Sequence, residues 1–131
     1  MKSRTLSVSI DSVPAAVYEF VSNPENLPKW ARAFCRSVRK SGKQWIVDTP
    51  DGPVGIRFVD TNAFGILDHY VSPAPDVEIY IPMGVVANGS GSEVLLTVFQ
   101  SPVMSDAKFA EDVRWVERDL RTLKSLLEAK R

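Results

Sequence analysis

The chain has 131 residues, 44% of them hydrophobic and 24% charged, which is enough to bury one core without disulfides or metals. Sixteen basic residues balance sixteen acidic residues, so the composition lacks the basic excess of proteins that bind nucleic acid or anionic membranes. No apolar run approaches the roughly 20 residues of a membrane span, and a near-neutral surface is compatible with a homodimer.

Cysteine and histidine usage limits both the compartment and the chemistry. Cys35 is the only cysteine and cannot form an internal disulfide, which fits a reducing compartment. The first ten residues contain no apolar signal-peptide stretch, so we expect a cytoplasmic protein. One histidine and one cysteine cannot make a typical zinc site, and no phosphate-binding or dinucleotide glycine motif occurs. The sequence therefore predicts no metal and no cofactor.

The N-terminal segment reads as a strand followed by two short helices. Residues 4–10 alternate between apolar and polar side chains, which predicts a half-buried strand. Asp11 and Ser12 offer a helix cap before Pro14, and a short helix is expected over residues 14–22. Breaks at residues 23–24 and 26–28 precede one or two further helical turns at residues 30–34.

The middle of the chain reads as six strands. Turn-forming residues separate the strand-like segments, and a clear hairpin turn of the Asn-Gly type lies at residues 88–91. Short hairpin connections imply an antiparallel sheet. The predicted strands cover residues 34–40, 44–49, 54–60, 64–72, 77–87 and 93–101.

The last segment predicts a long amphipathic helix of about two dozen residues. Ser105 is a suitable N-cap, and Lys124, Lys130 and Arg131 suit the negative end of the helix. Apolar residues recur along it at alternating steps of four and three, which draws one stripe. The stripe consists of Phe109, Val113, Val116, Leu120, Leu123 and Leu127.

This order of elements resembles the START-like, or SRPBCC, superfamily, which includes polyketide cyclase-like proteins and lipid-transfer domains. The local resemblance is carried by Asn23-Pro24-Glu25-Asn26-Leu27-Pro28-Lys29-Trp30 and by the hairpin at residues 88–94. The resemblance implies an α+β helix-grip fold: a curved antiparallel sheet of about seven strands around the C-terminal helix, with two short helices after the first strand. One domain would span residues 1–131.

The resemblance also implies an apolar cavity between sheet and helix. We expect a small hydrophobic ligand there, such as a lipid, a polyketide-like molecule or an aromatic compound. Two alternatives stay open: a polyketide cyclase or dehydratase with His69 as acid/base, and a protein-interaction domain without a ligand. A fold by itself does not choose among them.

Strand alternation and the helix stripe select the residues expected to face such a cavity. If Val59 pairs with Phe64, then His69 shares a face with Ile56 and Phe58; a one-residue shift puts Asp68 inside instead. His69 would bind a ligand, move a proton with Asp68 or Tyr70, or serve as an ordinary buried histidine. The expected ligand contacts are Trp30, Phe34, Ile56, Phe58, Leu67, His69, Ile79, Ile81, Met83, Phe109, Val113 and Val116.

Overall fold

A computed structural model describes residues 1–129 of the chain. Lys130 and Arg131, predicted to suit the negative end of the last helix, lie outside the described residues. The helices are α1 (Pro14–Ser22), α2 (Leu27–Trp30) and α3 (Asp106–Ala129), and a 3-10 turn spans Pro24–Asn26. The strands are β1 (Ser3–Ile10), β2 (Ser37–Ser41), β3 (Gln44–Thr49), β4 (Gly52–Phe58), β5 (His69–Ala74), β6 (Val77–Ile81), β7 (Met83–Asn88) and β8 (Gly91–Phe99).

The strands form two antiparallel sheets beside one long helix. The smaller sheet has the order β1-β8-β7, and the larger has the order β2-β3-β4-β5-β6. The backbone of α3 lies against β1, β8 and α2, and among the described residues it approaches the larger sheet less closely. This arrangement confirms the predicted α+β helix-grip fold. None of the described helices is long and apolar enough to cross a membrane.

The predicted strand over residues 77–87 is divided at Pro82, so the described residues form eight strands instead of about seven. Proline has no N–H to donate to a ladder, and the chain changes partners at this residue. β6 pairs with β5 before the break, whereas β7 pairs with β8 after it. The carbonyl of Pro82 accepts the N–H of Thr97 at 3.0 Å, which joins the two sheets.

The predicted strand over residues 64–72 begins only at His69. Residues 64–67 leave β4 and run beside β7, where the N–H of Leu67 donates to the carbonyl of Met83 at 2.9 Å. The predicted pairing of Val59 with Phe64 is therefore wrong, because Phe58 pairs with His69.

Asn62 holds the loop before β5 in shape. Its side-chain oxygen accepts the N–H groups of Phe64 and Ile66, each at 3.0 Å. Its amide nitrogen donates to the carbonyls of Asp60 and Ile66. These bonds satisfy backbone groups that the missing strand ladder would otherwise satisfy.

Two predicted details near the helices are corrected. Asp11 and Ser12 do not cap α1; Val13 is the N-cap, without a side-chain hydrogen bond, and Pro14 stands at the first helical position. The short helix predicted at residues 30–34 lies earlier, at Leu27–Trp30, and a tight turn on the carbonyl of Ala31 follows it. As a result, the second strand begins at Ser37 and not at residue 34.

The apolar stripe of α3 faces the core as predicted. Ser105 caps the helix, since its hydroxyl accepts the N–H of Lys108 at 3.1 Å. Leu120, Leu123 and Leu127 are buried on the C-terminal half, whereas the N-terminal half is less completely covered.

Candidate functional site

Three predicted site residues form one row across the inner face of the larger sheet. Phe58 on β4 is directly opposite His69 on β5, and His69 is opposite Ile81 on β6. Residues paired in this way project to the same face of an antiparallel sheet. Phe58 and Ile81 are partly buried, and His69 is only 7% exposed, so the row has a polar centre between two apolar side chains.

A second apolar row lies beside the first. Ile56 on β4 is paired with Trp45 on β3 and with Val71 on β5, and Val71 is paired with Ile79 on β6. Ile56 and Val71 are buried, but Ile79 is 40% exposed because β6 is the edge strand of this sheet. The inner face is therefore closed at its centre and open at the β6 edge.

The N-terminal half of α3 supplies the helical side of the site. Val113 is buried, while Phe109 and Val116 are partly buried and pack against the core. The same stripe is closed further along, where Leu123 is fully covered. Phe109 and Val116 pack against the same core as Phe58 and Ile81 of the larger sheet. We name these helical residues together with the row of Phe58, His69 and Ile81 the apolar groove.

The imidazole of His69 is held by one hydrogen bond and one ring contact. Its Nδ1 lies 3.0 Å from the carbonyl oxygen of Leu67. The ring of Phe58 lies 4.8 Å from it, centroid to centroid, with 30° between the planes. Burial lowers the pKa of His69 below 6.5, against smaller opposing effects of the Leu67 carbonyl and Asp68. At neutral pH the ring is therefore uncharged.

Asp68 and Tyr70 do not join His69 on the inner face. The Asp68 carboxylate accepts the hydroxyl of Tyr80 and the N–H of Met83, each at 2.9 Å. Tyr70 stacks on Tyr80, with 5.4 Å between ring centroids, and is paired with Arg57 and Tyr80 across the sheet. Neither side chain is placed for proton transfer with His69.

Four other predicted site residues lie outside this row, although the carbonyl of Leu67 is bonded to His69. Leu67 and Met83 are buried at the junction of the two sheets. Trp30 is buried at the end of α2, and Phe34 is partly buried in the turn that follows. These residues belong to the core and are not strand partners of His69.

Asp119 is a buried acidic residue that the sequence analysis did not select. Its carboxylate accepts the N–H of Ala33 at 2.9 Å, which ties α3 to the turn after α2. Burial raises the pKa of Asp119 to about 6, although the bonds to backbone N–H groups oppose this. A signal was present in the sequence: Asp119 follows Val116 by three residues and precedes Leu123 by four, within the apolar stripe.

The lone cysteine has the properties of a core residue. Cys35 is 2% exposed, and burial, followed by the charges of Asp48 and Asp119, raises the pKa of its thiol to about 11. A thiol that stays protonated at neutral pH is a poor nucleophile.

Lys108 connects the start of α3 to the turn between β3 and β4. Its ammonium lies 3.2 Å from Asp51, 3.3 Å from Glu111 and 3.1 Å from Asp112. It also lies 4.8 Å from the centre of the Trp115 ring, within the range of a cation–π contact. The turn and the helix are thereby held together near the apolar groove.

Two open clefts lie elsewhere on the described surface. One, of about 680 Å³, is bordered by α1, the β7–β8 turn and Leu127 near the end of α3. The other, of about 750 Å³, lies beside the turns joining β3 to β4 and β5 to β6. None of the twelve predicted ligand contacts borders either cleft.

Several solved structures share the architecture of this chain. Protein XoxI from Bacillus cereus is 20% identical, with 97% of this chain and 96% of that chain covered and a TM-score of 0.79. The Aha1 dimer from Colwellia psychrerythraea is 15% identical, with coverage of 98% and 97% and a TM-score of 0.77. A START superfamily protein from Mycobacterium smegmatis is 12% identical, with coverage of 98% and 99% and a TM-score of 0.72.

The chain has the START-like fold. No protein-family model and no curated protein sequence matches it. At these identities the likeness concerns the fold alone, so any function for this START-like chain has to be argued from its own residues.

Proposed function

We propose that the chain binds a small hydrophobic molecule in the apolar groove, as a carrier or binding protein. The observation that carries this proposal is the unequal closure of the α3 stripe. Leu120 and Leu123 are sealed against the core, but Phe109 and Val116 leave apolar surface partly exposed. On the opposite side, Phe58 and Ile81 are also only partly buried.

Partly exposed apolar side chains on both the helix and the larger sheet favour a ligand that covers both. Each Å² of apolar surface removed from water contributes about 25 cal/mol before the cost of association. Ile56, on the same face of the sheet as Phe58, is already covered, so the ligand would contact Phe58 and Phe109 without reaching Ile56. This geometry favours a small ligand, such as an aromatic compound or the end of a lipid or polyketide-like chain.

The cyclase or dehydratase alternative receives less support from the geometry. That chemistry requires groups that give and take protons at the substrate. His69 is the titratable side chain of the inner row, and the acidic and phenolic groups of Asp68 and Tyr80 are bonded to each other. We therefore favour binding over catalysis.

Purified protein should show apolar ligand binding that depends on the groove. We expect native mass spectrometry to detect retained lipid, or titration with Nile red to give saturable fluorescence. Phe109→Ala should weaken Nile red binding several-fold, because it removes one wall of the groove. Phe64→Ala is the matched control, since that side chain is 80% exposed on the loop before β5.

A further variant separates the groove from the cleft beside α1. Phe20 borders that cleft and not the groove. If Phe20→Ala weakens Nile red binding while Phe109→Ala does not, the proposed location is wrong. Absence of both retained lipid and saturable probe binding would refute the function itself.

The remaining expectations belong to the same proposal. We propose one functional domain over residues 1–131 and a cytoplasmic location, which fractionation of the native cells would check. The homodimer stays a prediction, for which the related Aha1 fold offers a dimeric example. Light scattering of the purified chain would give its mass in solution.

A further inference from the structure

The tautomer of His69 follows from its one hydrogen bond. Nδ1 lies 3.0 Å from the carbonyl oxygen of Leu67, and a carbonyl oxygen can only accept. Nδ1 therefore carries the hydrogen and donates it. In a neutral imidazole with hydrogen on Nδ1, the other nitrogen, Nε2, has a free lone pair and acts only as an acceptor.

The surroundings keep this ring neutral and its orientation fixed. The ring of Phe58 lies 4.8 Å from it in a tilted arrangement, and Ile81 is its partner on the next strand. The nearest carboxylate in sequence, Asp68, is occupied by Tyr80 and Met83. No charged group in this row competes for Nε2.

Nε2 of His69 is not completely sealed from solvent. It makes no hydrogen bond to residues 1–129. Among the described side-chain N and O atoms, only the indole nitrogen of Trp30 is both sealed from solvent and without a hydrogen-bond partner. Nε2 of His69 has no partner either, so it cannot be sealed. Nε2 is therefore reachable by a water-sized group, although the residue as a whole is 7% exposed.

We infer that the groove selects apolar molecules that carry a hydrogen-bond donor, a hydroxyl or an N–H, over molecules of the same shape that carry only acceptors. This inference rests on the proposed function and names its ligand class. A donor on the ligand would give a hydrogen bond to the lone pair of Nε2. An ether or ketone oxygen would instead place two acceptors together in apolar surroundings, and each would lose its bond to water.

The test compares 2-naphthol with 2-methoxynaphthalene, each displacing Nile red from the wild-type protein and from His69→Phe. The phenylalanine keeps a flat ring and removes the acceptor. The two probes differ in intrinsic hydrophobicity. The quantity to compare is therefore the ratio of their affinities, measured once in the wild-type protein and once in His69→Phe. We expect the ratio of naphthol to ether affinity to fall about tenfold in His69→Phe.

The outcomes of this comparison are distinct. If both probes bind and their affinity ratio is the same in the two proteins, the inference about hydrogen-bond donors is overturned, but the proposed binding of apolar molecules is not. If neither probe binds and Nile red does not bind either, the proposed function fails.

A second measurement avoids the substitution, in case His69→Phe does not fold. Nitrogen-15 NMR of the wild-type imidazole should show hydrogen on Nδ1 and none on Nε2. Addition of 2-naphthol should shift the Nε2 resonance, whereas 2-methoxynaphthalene should leave it in place. Hydrogen on Nε2, or equal shifts with both probes, would overturn the inference.

Discussion

Two buried polar side chains, His69 and Asp119, stand in different relations to the surrounding protein. His69 donates to the carbonyl of Leu67 and keeps a second nitrogen without a partner in the described chain. Asp119 accepts a backbone N–H from Ala33 and joins two distant segments. The first arrangement suits recognition of another molecule, and the second suits stabilisation of the fold.

Replacing Asp119 by asparagine should remove a pH-dependent loss of stability. The folded-state pKa is about 6, above the ordinary value of 3.8, so the folded protein holds the proton over a range where the unfolded chain releases it. Wild-type stability from this group therefore falls as pH rises from about 4 to about 6. We expect Asp119→Asn to gain about 2–3 kcal/mol relative to wild type over this interval, measured by urea unfolding.

The alanine variant provides the control for this prediction. Asp119→Ala also removes the charge, but it leaves the N–H of Ala33 without its acceptor. It should be less stable than Asp119→Asn by about 1–3 kcal/mol at every pH. A wild-type to asparagine difference that stays constant from pH 4 to pH 7 would contradict the raised pKa.

At the scale of elements, the helix stripe and the hairpin turns were predictable because their signals are local. The face of His69 was also predicted correctly, although the register was wrong. Phe58 pairs with His69 where the predicted register would pair it with Gly65, and an even shift keeps every side chain on its face.

The remaining elements depend on contacts between distant residues. Residues 64–67 join β7, not β4, and sequence alternation does not reveal the identity of a strand's neighbour. The partner of Asp119 is likewise a backbone group 86 residues away. The predicted ligand contacts stay a prediction, because how far the space between helix and sheet is filled depends on packing that periodicity cannot describe.

Gly65, in the loop before β5, should tolerate a side chain poorly. Its φ is +72°, and an added Cβ would lie 2.4 Å from the carbonyl oxygen of Val85. We expect Gly65→Ala to lower the free energy of unfolding by about 2–4 kcal/mol, because the segment beside β7 would have to move.

Gly42 allows the two effects at Gly65 to be separated. Its φ is +63°, but an added Cβ would meet nothing within 4 Å. Gly42→Ala should therefore show only the backbone effect, about 1 kcal/mol. Equal losses of stability for the two variants in urea unfolding would contradict the importance of the close approach to Val85.

The two halves of α3 should respond differently to truncation. Leu123 is fully buried, so Leu123→Ala should cost about 2–5 kcal/mol in the free energy of unfolding. Phe109 is only partly buried, so Phe109→Ala should cost less than about 3 kcal/mol despite removing a larger side chain. A larger loss at Phe109 than at Leu123 would show that the groove is as tightly packed as the core.

At the scale of the whole molecule, the helix is held mainly by one of the two sheets. α3 lies on β1 and β8, while the larger sheet ends in two edge strands, β2 and β6. β2 is largely exposed, and β6 is exposed over four of its five residues. The larger sheet therefore has exposed strands at both of its edges.

Amide hydrogen exchange should reflect this difference. We expect amides of β6 and β2 to exchange faster than those of β1 and β8, because β1 and β8 lie under α3 whereas β6 and β2 can open without disturbing the contact between this helix and the smaller sheet. Mass spectrometry after timed deuterium labelling would measure it. Equal protection of all four strands would indicate that the two sheets open only together.

Pro82 marks the junction between the two sheets. Main-chain pairing passes from one sheet to the other there, and the bond from Thr97 to its carbonyl bridges the seam. Because proline restricts φ, this residue helps to set the orientation of the larger sheet relative to the smaller one, on which α3 lies. In the proposed groove, the width available to a ligand would then depend on a residue that the ligand itself need not touch.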